Sequence, residues 1–141
     1  MTTAHAVAVA VTFVWLGMVV AISFVEAPLK FRAPGVTVRV GLGIGRLVFR
    51  ALNSIEMLWA ATLVAAIVVD APPVHVIVVA MVAVAVLVVQ LAVVRPRLAR
   101  RSDRILAGEE SPRSRAHWVY VGLESVKVLA LLITGIFLLG Q

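Results

Sequence analysis

Four apolar stretches, Ala6–Val25, Leu47–Val69, Val74–Val94 and Trp118–Leu139, fill most of this chain. Each is close to the roughly 20 residues that an α-helix needs to cross the hydrocarbon of a bilayer. A backbone in lipid has no water to bond, so every N–H and C=O must be paired internally, and a helix does this within one segment. A β-barrel would alternate inward and outward residues over short segments, whereas these runs are apolar all round. Val, a middling helix former in water, is frequent in them, but an unpaired backbone in lipid costs far more than its propensity deficit. Of the 141 residues, 62% are hydrophobic and 14% charged, with a mean hydropathy of +1.09. A soluble domain is about half apolar and about a quarter charged. The expected fold is therefore all-α: a polytopic membrane protein with four transmembrane helices in an up-down bundle, near 5–26, 43–70, 74–95 and 116–139. It forms one domain over 1–141, because the longest polar segment, Arg95 to Ala116, is too short to bury a core of its own.

The first run reads as a retained helix. No Lys or Arg precedes it, and it ends in Phe24-Val25-Glu26 rather than in the small-x-small pattern of a signal cleavage site. The chain has no cysteine, which excludes disulfides, thiolate nucleophiles and Cys-ligated metals.

All 13 Lys and Arg lie between Lys30 and Lys127, and the turn Asp70-Ala71-Pro72-Pro73 has none. The positive-inside rule then places both long loops in the cytoplasm and both termini outside. Richness in Val, Ala and Arg suggests a high-GC bacterium and its plasma membrane, the bacterial inner membrane. The net charge of +6 becomes a property of the cytoplasmic surface, where the expected partners are membrane lipids with anionic headgroups. No nucleic acid is expected, since no aromatic residues interleave with the arginines. Four helices make a narrow bundle, so a homo-oligomer or a partner in a membrane complex is expected for any transport path. Ser111-Pro112 in the second loop reads as a turn. Gly41-Leu42-Gly43-Ile44-Gly45 lacks the preceding strand of a phosphate-binding loop, so close helix packing through small residues is the preferred reading.

The candidate site is a set of polar residues at one depth. Glu26 ends the first helix, and Gln90 lies one turn before the end of the third. Arg50, Asn53 and Glu56 lie in the first turns of the second helix, and Glu124 and Lys127 at the matching depth of the fourth. At about 100° per residue, Arg46, Arg50, Asn53 and Glu56 spread over roughly a third of the second helix, and His117, Tyr120, Glu124 and Lys127 over about 80° of the fourth. Ionisable groups inside a bilayer are rare and usually paired, and they mark function by default. Two roles compete. Glu56 with Arg50 or Lys127, and Glu124 with Lys127, can form static ion pairs that hold the bundle. An unpaired buried carboxyl is instead the kind of group that carries a proton. Leu52-Asn53-Ser54-Ile55-Glu56 also echoes Leu123-Glu124-Ser125-Val126-Lys127, and Pro28 and Pro96 follow the two inward helices. Two hairpins related by a pseudo-two-fold axis along the membrane normal would set Asn53 opposite Glu124 and Glu56 opposite Lys127.

His5 and His75 both start inward helices, but only Asp70 offers a third ligand nearby, so no metal and no cofactor are expected. Trp15, Trp59 and Trp118 read as packing or interface residues. Ser54 and Ser125 have no His at a useful spacing, so no nucleophile–base pair appears and an enzyme is the less favoured reading.

Trp15-Leu16-Gly17, Phe24-Val25-Glu26-Ala27-Pro28-Leu29-Lys30-Phe31-Arg32 and Gly45-Arg46-Leu47-Val48-Phe49-Arg50 together resemble the transmembrane protein 205-like family of small four-helix membrane proteins. The shared pattern is W-x-G in the first helix, A-P-x-x-F at its end and a Phe near the start of the second. Glu26 and Lys30 depart from the small or apolar residues usual there. The resemblance covers about the first 60 residues; it implies a four-helix membrane fold and no particular chemistry. The leading expectation for function is proton-linked or small-molecule or lipid binding or transport at the polar cluster. The alternative is a non-catalytic accessory or scaffold subunit of a membrane complex.

Overall fold

The computed structural model describes residues 1–109 and 115–141, so the Ser111-Pro112 turn lies outside the described residues. Four helices carry the fold: α1 (Thr3–Arg32), α2 (Val38–Val69), α3 (Val74–Leu106) and α4 (Arg115–Leu139), each long and apolar enough to cross a membrane. No strand occurs among the described residues. Thr2 caps α1 by accepting from the His5 amide at 3.1 Å, and Thr37 caps α2 by accepting from Val40 at 3.2 Å. Gly35 and Gly108, at φ 79° and 91°, form the turns after α1 and α3 that a side chain would strain.

The helices extend further at the Arg-rich end than their apolar runs do. α1 continues past Glu26 to Arg32, α2 begins at Val38, and α3 continues past Val94 to Leu106. Polar residues can prolong a helix that has already been nucleated, because adding a residue is far easier than starting a turn. The two prolines inside these helices are accommodated in the same way. Pro28 follows a π-helical stretch, Val20–Glu26, and Pro96 follows another, Gln90–Val94. A proline ring clashes with the carbonyl four residues back and removes one amide donor. Widening the preceding turn to i→i+5 bonding accommodates both defects without ending the helix.

α1 packs along α2 and α4, and α3 along α4, while α2 and α3 meet far less. The Thr2 hydroxyl donates to Asp70, so the start of α1 lies beside the end of α2. The rings of His75 and Phe137 meet edge to face at 5.1 Å, so the start of α3 lies beside the end of α4. Much of the helix–helix contact is built from small residues. Ala8, Ala60, Ala66, Ala80, Ala83 and Ala130 are all buried. A Cβ on Gly135 would lie 2.6 Å from Phe13 Cζ, and one on Gly41 2.2 Å from Phe31 Cε1. The glycine run in α2 therefore serves packing: Gly41 seats the Phe31 ring and Gly45 the Lys30 ammonium. Large apolar side chains such as Val14, Leu58, Val78, Val88, Leu129 and Ile136 point outward instead.

Candidate functional site

A charged knot lies in the centre of the bundle, and every helix contributes to it. Trp15 comes from α1, Glu56 from α2, Gln90 from α3, and Glu124 and Lys127 from α4; none is more than 2% exposed. The Lys127 ammonium is the hub. It lies 2.5 Å from Glu56 Oε1 and 3.1 Å from Glu124 Oε1, and donates to Gln90 Oε1 at 2.8 Å. Gln90 Nε2 donates to Glu124 Oε2 at 2.7 Å, and the Trp15 indole donates to Glu56 Oε1 at 2.9 Å. Glu124 and Lys127 are three residues apart, which puts them on one face of α4. Two carboxylates thus face one ammonium. With all three ionised the knot carries a formal charge of −1 in a buried position, where charge is expensive unless balanced. Glu56 Oε2 and Glu124 Oε1 have no hydrogen-bond donor.

Above the knot, towards the Arg-rich end, a cavity of about 410 Å³ opens between the end of α1, the start of α2, the end of α3 and the start of α4. Glu124 lines it, so the knot touches this space. Lys30, Arg46, Arg95 and Arg101 supply its positive charge and Phe24, Phe31 and Leu98 part of its apolar wall. Arg46 pairs with Asp103, and Lys30 with Glu26 at 3.6 Å. Towards the other end the bundle turns apolar. Thr12 and Thr134 are fully buried, but each hydroxyl donates at 2.7 Å to a carbonyl of its own helix, Ala8 O and Ala130 O. Leu63, Val76 and Leu131 close the interior there.

Four of the residues expected from the sequence meet in this knot: Glu56, Gln90, Glu124 and Lys127. Three do not. Glu26 turns back to Lys30, which lines the cavity. Arg50 is exposed on the outer side of α2, leaving Lys127 as the cation on Glu56. Arg50 and Glu56 lie about 120° apart around α2 at 100° per residue, so one helix cannot turn both inward. Asn53 is half-buried and, among the described residues, makes no hydrogen bond to Glu124, so only the Glu56–Lys127 half of the expected pairing forms. His75 meets Phe137 edge to face, and among the described residues no three His, Asp or Glu gather as a metal site would need. Trp15 is the member that sequence reasoning missed. Its indole gives the same apolar signal whether it packs or donates, and only its position opposite Glu56 tells the two apart.

Comparison with protein-family models, curated proteins and solved structures finds no match to this chain.

Proposed function

We propose that this chain is a four-span membrane protein with helices running up and down, and that its knot holds one exchangeable proton reached from the cavity. The outward-facing Val, Leu and Ile side chains form far more apolar surface than a soluble monomer tolerates, which supports the membrane setting. The basic residues gather at one end, so the positive-inside rule assigns that end to the cytoplasm of a bacterial plasma membrane and both termini to the outside. The resemblance to the transmembrane protein 205-like family belongs to this proposal and adds no chemistry to it.

One observation carries the proton reading: two buried carboxylates share one ammonium, and one of them, Glu124, lines the cavity. A proton on either carboxyl brings the knot to neutrality. Glu124 takes it from the cavity; the Lys127 ammonium, in reach of both carboxylates, releases one of its own protons to Glu56 and is re-protonated by Glu124, which ends ionised again. Beyond Glu56 the apolar packing offers no onward acceptor among the described residues, since the Thr12 and Thr134 hydroxyls are taken by their own helices. The reading is therefore proton-linked binding at one face rather than conduction through the bundle. A second reading, a non-catalytic accessory subunit, draws on the fact that the knot joins all four helices and can serve purely as their staple.

Infrared difference spectroscopy on the protein in nanodiscs, with Glu56→Gln and Glu124→Gln as controls, separates the two. Proton exchange predicts a protonated-carboxyl band that changes with pH and disappears in one of the variants. Carboxylates that stay ionised at every pH at which the protein remains folded would leave the knot as a structural clasp.

A further inference from the structure

We infer that the cavity at the Arg-rich end binds an anionic head group carried on an aliphatic chain, with Arg95 as its anion contact. Arg95 stands apart from the other cations around this space. Arg46 is engaged by Asp103 and Lys30 by Glu26, and Arg101, which also lines the cavity, has an interaction of its own. Among the described residues no carboxylate lies within ion-pair distance of Arg95; its guanidinium rests instead on the rings of Phe49, at 5.1 Å, and Tyr120, at 5.8 Å. Cation–π contact with these two mutually perpendicular rings steadies the group without using its N–H donors, which are left to meet a carboxylate or phosphate.

A second observation points into the same space. Tyr120 lines the cavity and is only 6% exposed; its hydroxyl sits within the influence of the Glu124 carboxylate but closes no well-formed hydrogen bond to it. The Ser23 hydroxyl, on another residue of the lining, is also buried without a partner. Buried polar atoms are rarely left unbonded, and a ligand oxygen beside Arg95 would satisfy donors of this kind. Glu124 is the opposing charge at the cavity floor, but Lys127 and Gln90 already hold it from behind.

The walls select the rest of the ligand. Phe24 and Phe31 line the cavity and are also 42% and 41% exposed, so the apolar lining runs out to the surface of the bundle. An aliphatic chain attached to the head group can leave along that path. The volume of about 410 Å³ lies near the lower end of the range for small-molecule sites, about 300–1,000 Å³. It suits a head group and its first methylenes rather than a whole lipid. The same chemistry belongs to a membrane phospholipid with an anionic head and to a free fatty acid.

Native mass spectrometry of the full chain, released from detergent with palmitate, phosphatidylglycerol or phosphatidylcholine added, tests this directly. The expected result is a saturable one-to-one adduct with at least one anionic probe, bound about tenfold or more tightly than phosphatidylcholine. Palmitate alone would identify a free acid as the ligand class, phosphatidylglycerol alone a membrane lipid, and both together the shared head-group chemistry. Arg95→Gln should abolish the preference, whereas Arg97→Gln, on an exposed residue outside the cavity, should keep it. Ala99→Phe, which fills the cavity without altering charge, should reduce binding as Arg95→Gln does. No preference for an anion, or equal losses in Arg95→Gln and Arg97→Gln, would overturn the inference. The result does not depend on the proton: a knot whose carboxylates never titrate still leaves Arg95 and Tyr120 facing the cavity.

Discussion

Lys127→Met is the most informative single change, because the structure states what it leaves behind. The ammonium is fully buried, donates to Gln90 Oε1 and forms ion pairs with Glu56 Oε1 and Glu124 Oε1. Methionine fills nearly the same volume, so no large cavity term enters. What remains is two buried carboxylates without their cation and an amide oxygen without its donor. Removing one partner of a buried ion pair costs about 3–5 kcal/mol, a large share of the roughly 5–15 kcal/mol that holds a typical domain together. The double variant Glu56→Gln/Lys127→Met restores the balance. Its formal charge is −1 from Glu124 alone, equal to −2 + 1 in the parent knot. The new amide oxygen can still accept from Trp15, and Glu124 keeps the Gln90 donor. Replacing a whole buried pair is often close to neutral, so the double variant should lie within about 2 kcal/mol of the parent. Denaturant titration in detergent micelles, followed by circular dichroism, gives all three free energies. A single variant that loses less than about 1 kcal/mol, or a double variant no more stable than the single, would refute the claim that Lys127 balances this charge.

Two further changes probe the interior. Trp15→Phe removes the indole donor from Glu56 and should cost about 1.5–3 kcal/mol, the range for a hydrogen bond to a charged group; the loss should shrink when Glu56→Gln is already present, and an equal loss in both backgrounds would mean that packing alone is being measured. Gly135→Ala drives a methyl group to within 2.6 Å of Phe13 Cζ and should destabilise by about 1–3 kcal/mol through overpacking; Phe13→Leu should relieve most of that, and a Gly135→Ala protein as stable as its parent would show that the two helices can slide apart there.

The helices were the most legible part of the chain. Their apolar runs are long, and an apolar run of that length leaves its backbone no solvent partner in lipid, so helix is the one economical solution. Their ends were less legible: Pro28 and Pro96 look like stops in the sequence, yet α1 and α3 pass through them after a π-helical turn. Of the polar candidates, Glu56, Gln90, Glu124 and Lys127 could be picked out because charges and amides are scarce within such runs. Glu26 and Arg50 drew the same attention, yet Glu26 pairs with Lys30 and Arg50 lies on the outer surface.

The sequence by itself determined that four helices form and at what height along them their polar groups lie, because hydropathy and the rise per residue act along one segment at a time. The tertiary structure alone decided which of those groups meet. Rotation about each helix axis is set by how alanines and glycines such as Ala60, Ala83 and Gly135 seat against neighbouring helices, and those residues carry almost no hydropathy contrast to announce the face they take. Trp15 as a donor, Lys127 as the shared cation and Arg95 at the cavity follow from that packing.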